Sequence, residues 1–113
     1  MQQIRKGVIE MAGYTCLWEF IVKTDHVEEF RQRYGPSGPW VALFRRAPGY
    51  LDTLLLRDRA NPARFITIDR WASAEAHRSF HSAFSIEYAE LDARYADLTV
   101  QETSLGEFDE TLP

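Results

Sequence analysis

The chain has 113 residues, of which 45% are hydrophobic and 27% charged, and carries a formal net charge of -4. That length suits one domain whose core needs no staples, and an acidic chain with no basic run longer than Arg5-Lys6 or Arg45-Arg46 lacks the positive footprint of a nucleic-acid binder. No apolar run approaches spanning length, no signal-type segment opens the sequence, and the lone Cys16 cannot close an internal disulfide, so a cytoplasmic protein without a membrane or nucleic-acid partner is expected.

Residues 1–13 have no clear periodicity and read as an N-terminal arm. Tyr14–Val22 is rich in aromatic and β-branched residues and predicts a strand. Its two faces, Trp18, Phe20 and Val22 on one and Leu17, Glu19 and Ile21 on the other, are both largely apolar, so both must be covered. Asp25 followed by Glu28 resembles a capping box and starts a helix carrying Val27, Phe30 and Tyr34 on one stripe. Gly35-Pro36-Ser37-Gly38 breaks it. Pro39 opens a second short helix with Trp40, Leu43, Phe44 and Ala47 on its apolar face, ended by Pro48-Gly49.

Tyr50–Arg57 and Phe65–Trp71 read as two strands joined by a polar turn, an antiparallel hairpin. Ser73 is a good N-cap, with Glu75 in the first turn and Ala76, His77, Phe80 and Phe84 on one stripe. The helix runs to about Tyr95, with a bend or restart at Ser82–Ser85, where Ser85 can cap the second piece. Leu98–Phe108 is the last strand. The core domain is expected over residues 14–108 and a polar tail over 109–113.

The order β-α-α-β-β-α-β is the split β-α-β arrangement of an α+β, ferredoxin-like fold with an antiparallel sheet. One layer of helices covers one sheet face. A second copy of the chain is the economical cover for the other, so a homodimer is expected.

Several local features then coincide: Pro48-Gly49-Tyr50 entering the second strand, Asp69-Arg70-Trp71 closing the third, and Ser73-Ala74-Glu75-Ala76-His77-Arg78 starting a capped helix at once. In this the chain resembles the antibiotic biosynthesis monooxygenase family over about residues 14–105. The resemblance implies a dimeric α+β barrel with two facing sheets, helices outside, and a pocket between sheet and helices. It also implies cofactor-independent oxygen chemistry on a small aromatic such as a phenol, anthrone or quinol. Fold alone does not fix function. Two alternatives stand beside it: a non-catalytic small-molecule-binding or stress-response dimer, and a haem-binding or haem-degrading protein. Against haem breakdown, Trp18 stands where the haem-degrading branch carries an asparagine.

Trp71 matches the family's strand-end aromatic and can stack on a flat substrate, or simply fill the core. Phe65, Thr67 and Asp69 share its face by strand alternation. His77 matches the family helix's Ala-His pair and is the candidate proton acceptor, with His81 one turn on. Asp69 can orient a histidine or act as the base itself, or pair with an arginine such as Arg46 or Arg57. Trp18, His81, Tyr88 and Trp40 are candidate substrate-binding residues. Two histidines at this spacing can ligate a metal, but no third ligand is evident, so no metal and no cofactor is expected.

Overall fold

The computed structural model describes residues 13–111. Apart from Gly13, the N-terminal arm expected from the sequence lies outside the described residues, as does the end of the tail.

Strand β1 spans Tyr14–Val22, β2 Tyr50–Arg57, β3 Arg64–Trp71 and β4 Thr99–Asp109. They form one antiparallel sheet in the order β2-β3-β1-β4. This is the ferredoxin-like α+β fold expected from the element order. Helices α1 (Val27–Tyr34), α2 (Pro39–Phe44), α3 (Ala74–Ala83) and α4 (Ser85–Tyr95) supply the other layer. Alternation along β1 sends Tyr14, Cys16, Phe20 and Val22 into the core, where they meet Phe30, Tyr34, Trp40, Phe44, Phe80 and Leu91 from the helices.

Local chemistry accounts for most element ends. Pro39 sits in the first turn of α2, where its missing N–H costs little. The Ser73 hydroxyl accepts the Ala76 N–H at 3.0 Å and caps α3. Gly49 holds a φ of +89°, and an added Cβ would stand 2.6 Å from that of Ala76, so the turn into β2 requires glycine on both counts.

Two local expectations need correction. The capping box at Asp25 does not form: Thr24–His26 is a 3-10 turn, and α1 follows with His26 at its N-cap and no side-chain cap. Glu28 instead pairs with Arg31 one turn along, at 3.0 Å. The break in the long helix falls as expected near Ser85, but Phe84 holds the non-helical junction and Ser85 is already helical, capping nothing.

The far sheet face stays open. Cross-strand register places Leu17, Ile21, Leu54, Leu56, Ile66, Ile68 and Phe108 on it. Leu54 is 56% exposed and Phe108 50%. Arg70 on that face holds Asp52 at 3.0 Å and Glu110 at 2.8 Å, and Arg64 holds Glu19 and Asp58.

Candidate functional site

Between the sheet and the helices lie two adjoining cavities. One, of about 130 Å³, is lined by Cys16, Trp18, Asp69, Trp71, His77 and His81, among others. The second, of about 70 Å³, reaches from Trp18 and Asp69 toward Tyr34, Trp40, Thr53 and Asp92. Trp18, Phe44, Asp69 and Tyr88 line both and form the partition between them. Every candidate site residue named from the sequence therefore lies on one or both cavities. A dry cavity of roughly 150 Å³ holds a benzene ring, so the larger void is of one-ring size.

The walls come from several elements. Asp69 and Trp71 alternate inward on β3, and Cys16 and Trp18 on β1 sit opposite Asp69 and Thr67 in register. His77 and His81 project from successive turns of α3, Tyr88 and Asp92 from α4, and Ser104 and Glu107 from β4. A register shift in β4 opposite Leu17 and Trp18 leaves Leu105 as the extra residue and keeps Ser104 and Glu107 on the cavity side.

Asp69 is the site's most perturbed carboxyl. It is packed by protein apart from the surface it turns to the cavities. Burial pushes it up to about 6, against the opposing pull of the hydrogen bond donated by Thr53. Thr53 Oγ1 lies 2.7 Å from Asp69 Oδ1, and the Tyr50 hydroxyl lies 2.7 Å behind Thr53. The arginine partner considered from the sequence is absent: Arg46 pairs with Glu87, while Arg57 lies over the Phe65 ring and donates to the Pro62 carbonyl. Strand alternation puts Asp69 on the side facing the cavities, away from the arginines of the open face.

The histidines meet directly, with Nε2 atoms 3.0 Å apart. Only one proton can lie between two such nitrogens, so at least one ring is neutral. Burial, then repulsion from His81 and Arg78, lowers His77 to about 4, and burial lowers His81 as well. Cys16 Sγ lies 3.6 Å from His77 Nε2. Burial and then the Asp69 charge raise that thiol to about 11, which makes it a packing residue and not a nucleophile. No group of three or more His, Cys, Asp or Glu side chains arranged to hold a metal occurs among the described residues.

Trp71 is only 1% exposed and packs edge-on against Phe44, Tyr50 and His77. It fills the core and bounds the larger cavity at once, so the two readings of it from the sequence are not exclusive. Its Nε1, like that of Trp40, is buried without a hydrogen-bond partner. Tyr88 stands against Trp40 and His81. Its hydroxyl is raised to about 12 by burial first, then by Asp92, Asp69 and Glu102.

Thr53 and Tyr50 were not legible as site residues. Simple alternation would set them on opposite faces of β2. A register shift between Tyr50 and Asp52 inserts one residue, so Tyr50 pairs with Trp71 and Thr53 with Asp69, both facing inward.

The family model for antibiotic biosynthesis monooxygenase matches residues 13–85, and the chain belongs to that family. No curated protein matches the chain. Solved structures share the fold. A cofactor-independent oxygenase from Streptomyces nogalater, SnoaB, superposes with a TM-score of 0.68 at 23% identity, over 89% of this chain and 97% of that one. A candidate antibiotic biosynthesis monooxygenase from Bordetella bronchiseptica gives 0.69 at 18% identity, over 89% and 99%. One from Nitrosomonas europaea gives 0.67 at 18%, over 89% and 92%. None of the described helices is long and apolar enough to cross a membrane.

Proposed function

We propose that the chain is a cofactor-independent monooxygenase that oxidises a small one-ring phenol or quinol, with Asp69 as the proton acceptor. The observation that carries this is a buried carboxyl, held near 6, on an aromatic-walled cavity of about 130 Å³. A base of that strength is matched to neutral pH. His77 and His81, lowered and in contact, are neutral there and line the cavity beside Asp69 as uncharged polar walls. Trp71, Trp18, Tyr88 and Trp40 bound the substrate's ring space.

The chemistry closes without a further reductant. Asp69 takes the phenolic proton, and the resulting anion passes an electron to oxygen. The radical pair combines at a carbon that bears hydrogen, and Asp69 returns the proton to form a hydroperoxide. Asp69 then removes the C–H proton while the O–O bond breaks, and hands that proton to the departing hydroxide. The products are a quinone-type carbonyl and water, and Asp69 ends ionised as it began.

Family membership and the fold shared with an oxygenase described as cofactor-independent support this reading. A purely binding role would be favoured if the titratable groups faced away from the cavity, but Asp69 and His77 both line it. Haem would need far more room: pockets for larger ligands run to roughly 300–1,000 Å³, against about 130 and 70 Å³ here.

The test is oxygen uptake by the purified, chelator-treated protein with a panel of one-ring phenols, hydroquinones and catechols. Uptake should exceed each compound's autoxidation, fall at least about 100-fold in Asp69→Asn, and fall less in His77→Ala. Uptake that Asp69→Asn leaves intact would remove Asp69 from the chemistry.

A further inference from the structure

A carboxyl that serves as a base must present one oxygen to the substrate in a fixed direction, and an aspartate with no ion-pair partner needs a hydrogen bond to hold it. Here one of its two oxygens is already taken. Thr53 Oγ1 donates to Asp69 Oδ1 at 2.7 Å, and because its single proton is committed there, the 2.7 Å contact behind it must be donated by the Tyr50 hydroxyl. No hydrogen bond from the described residues reaches Oδ2. We infer that Thr53, with Tyr50 behind it, is the positioning residue that ties down Oδ1 and leaves Oδ2 as the one oxygen free to receive the substrate's proton.

Three observations carry this. Thr53 is 7% exposed, on a strand whose other residues from Leu54 to Leu56 are leucines, so its hydroxyl is a buried polar group that needs its partner. The one-residue bulge at the start of β2 is what turns both Tyr50 and Thr53 inward. Tyr50 is half-buried, with its ring wedged between Phe44 and Trp71, which fixes where its hydroxyl points. The hydrogen-bonded run thus leads from the cavity carboxylate through Thr53 to Tyr50 at the edge of the core.

The other charged or titratable groups around these cavities are Cys16 on β1, Tyr34 on α1, His77 and His81 on α3, Tyr88 and Asp92 on α4, and Glu107 on β4. None of them hydrogen-bonds Asp69. Thr53 is therefore the one polar side chain among the described residues that can set the direction of this carboxyl.

The inference rests on Asp69 as proton acceptor, so its test reads the carboxyl itself as well as turnover. The full-length protein, carbon-13-labelled at aspartate, is titrated by NMR as wild type, Thr53→Val, Thr53→Ser and Tyr50→Phe. Removing a hydrogen bond to the ionised form should raise the Asp69 midpoint by about one pH unit or more in Thr53→Val. Thr53→Ser should restore it, and Tyr50→Phe should raise it by less. The acidic limb of oxygen uptake should move with the midpoint.

A midpoint that shifts as expected in a protein with no oxygen uptake upholds the positioning and sinks the oxygenase reading alone. A midpoint unchanged in folded Thr53→Val overturns the positioning. If Thr53→Val does not fold, Tyr50→Phe decides, and an unmoved midpoint there overturns it equally.

Discussion

At the scale of single residues, the site sets two opposed titrations in one cavity. Asp69 is raised by burial from 3.8 to about 6, so the folded chain holds its proton more tightly than the unfolded chain. Stability from this group is greatest at low pH and falls as pH rises from about 4 to about 6, by at most about 3 kcal/mol. His77 is lowered from 6.5 to about 4, so the folded chain binds fewer protons than the unfolded chain over that same window. Its contribution rises with pH, and the two slopes oppose each other. Asp69→Asn removes only the falling one. Urea unfolding of that variant and wild type between about pH 4 and about pH 7 should show the variant gaining stability relative to wild type as pH rises. A difference independent of pH would mean that Asp69 ionises as it does in water.

Much of this site was legible residue by residue. The family resemblance pointed to Trp71 and His77; strand alternation then put Asp69 on the face of Trp71, and the i, i+4 spacing put His81 beside His77. Thr53 and Tyr50 escaped because a bulge changes the phase of β2, and the leucine run that follows carries no alternation to reveal it. The expected arginine partner of Asp69 failed for a related reason: sequence distance does not report which sheet face a side chain reaches.

At the scale of elements, ends governed by backbone chemistry were readable and ends governed by competition were not. Ser73 caps α3 because an extended serine stands directly before the helix and its hydroxyl reaches the Ala76 N–H. Ser73→Ala should cost about 1 kcal/mol of stability by denaturant midpoint. Asp25 had the right spacing but lies inside a 3-10 turn that enters the helix one residue later than a capping box needs. Gly49→Ala meets both a positive φ and the Ala76 side chain, and should cost about 2 kcal/mol or more. Because Ala76 directly precedes His77, the same substitution should disturb the His77 imidazole resonances. Unchanged stability would show that the turn can remodel without α3 moving.

For the whole molecule, the open sheet face is the main feature that one copy of the chain leaves unexplained. Leu17, Ile21, Ile66 and Ile68 form its middle, with Arg70 and Arg64 ion pairs toward its edges. Apolar faces of this kind mark association surfaces, and a second copy fits the doubly apolar pattern of β1. Light scattering at micromolar concentration should find a dimer. Leu54→Lys, at a position already 56% exposed, should split it without unfolding the chain. A monomeric wild type, or a Leu54→Lys dimer, would require another role for this face. The fold itself was readable because element order and alternation fix it. The cavities were not, since they depend on how four helices fill one sheet face.

The central claim is that this chain inserts oxygen into an aromatic through its own side chains, with Asp69 moving the protons. The most direct measurement is turnover under oxygen-18 gas, using the compound from the panel that gives the greatest uptake, with Asp69→Asn run beside wild type. One labelled oxygen atom in each product molecule, the other in water, and loss of labelled product in the variant are predicted. A product whose new oxygen comes from solvent, or equal labelling with Asp69→Asn, would contradict the account.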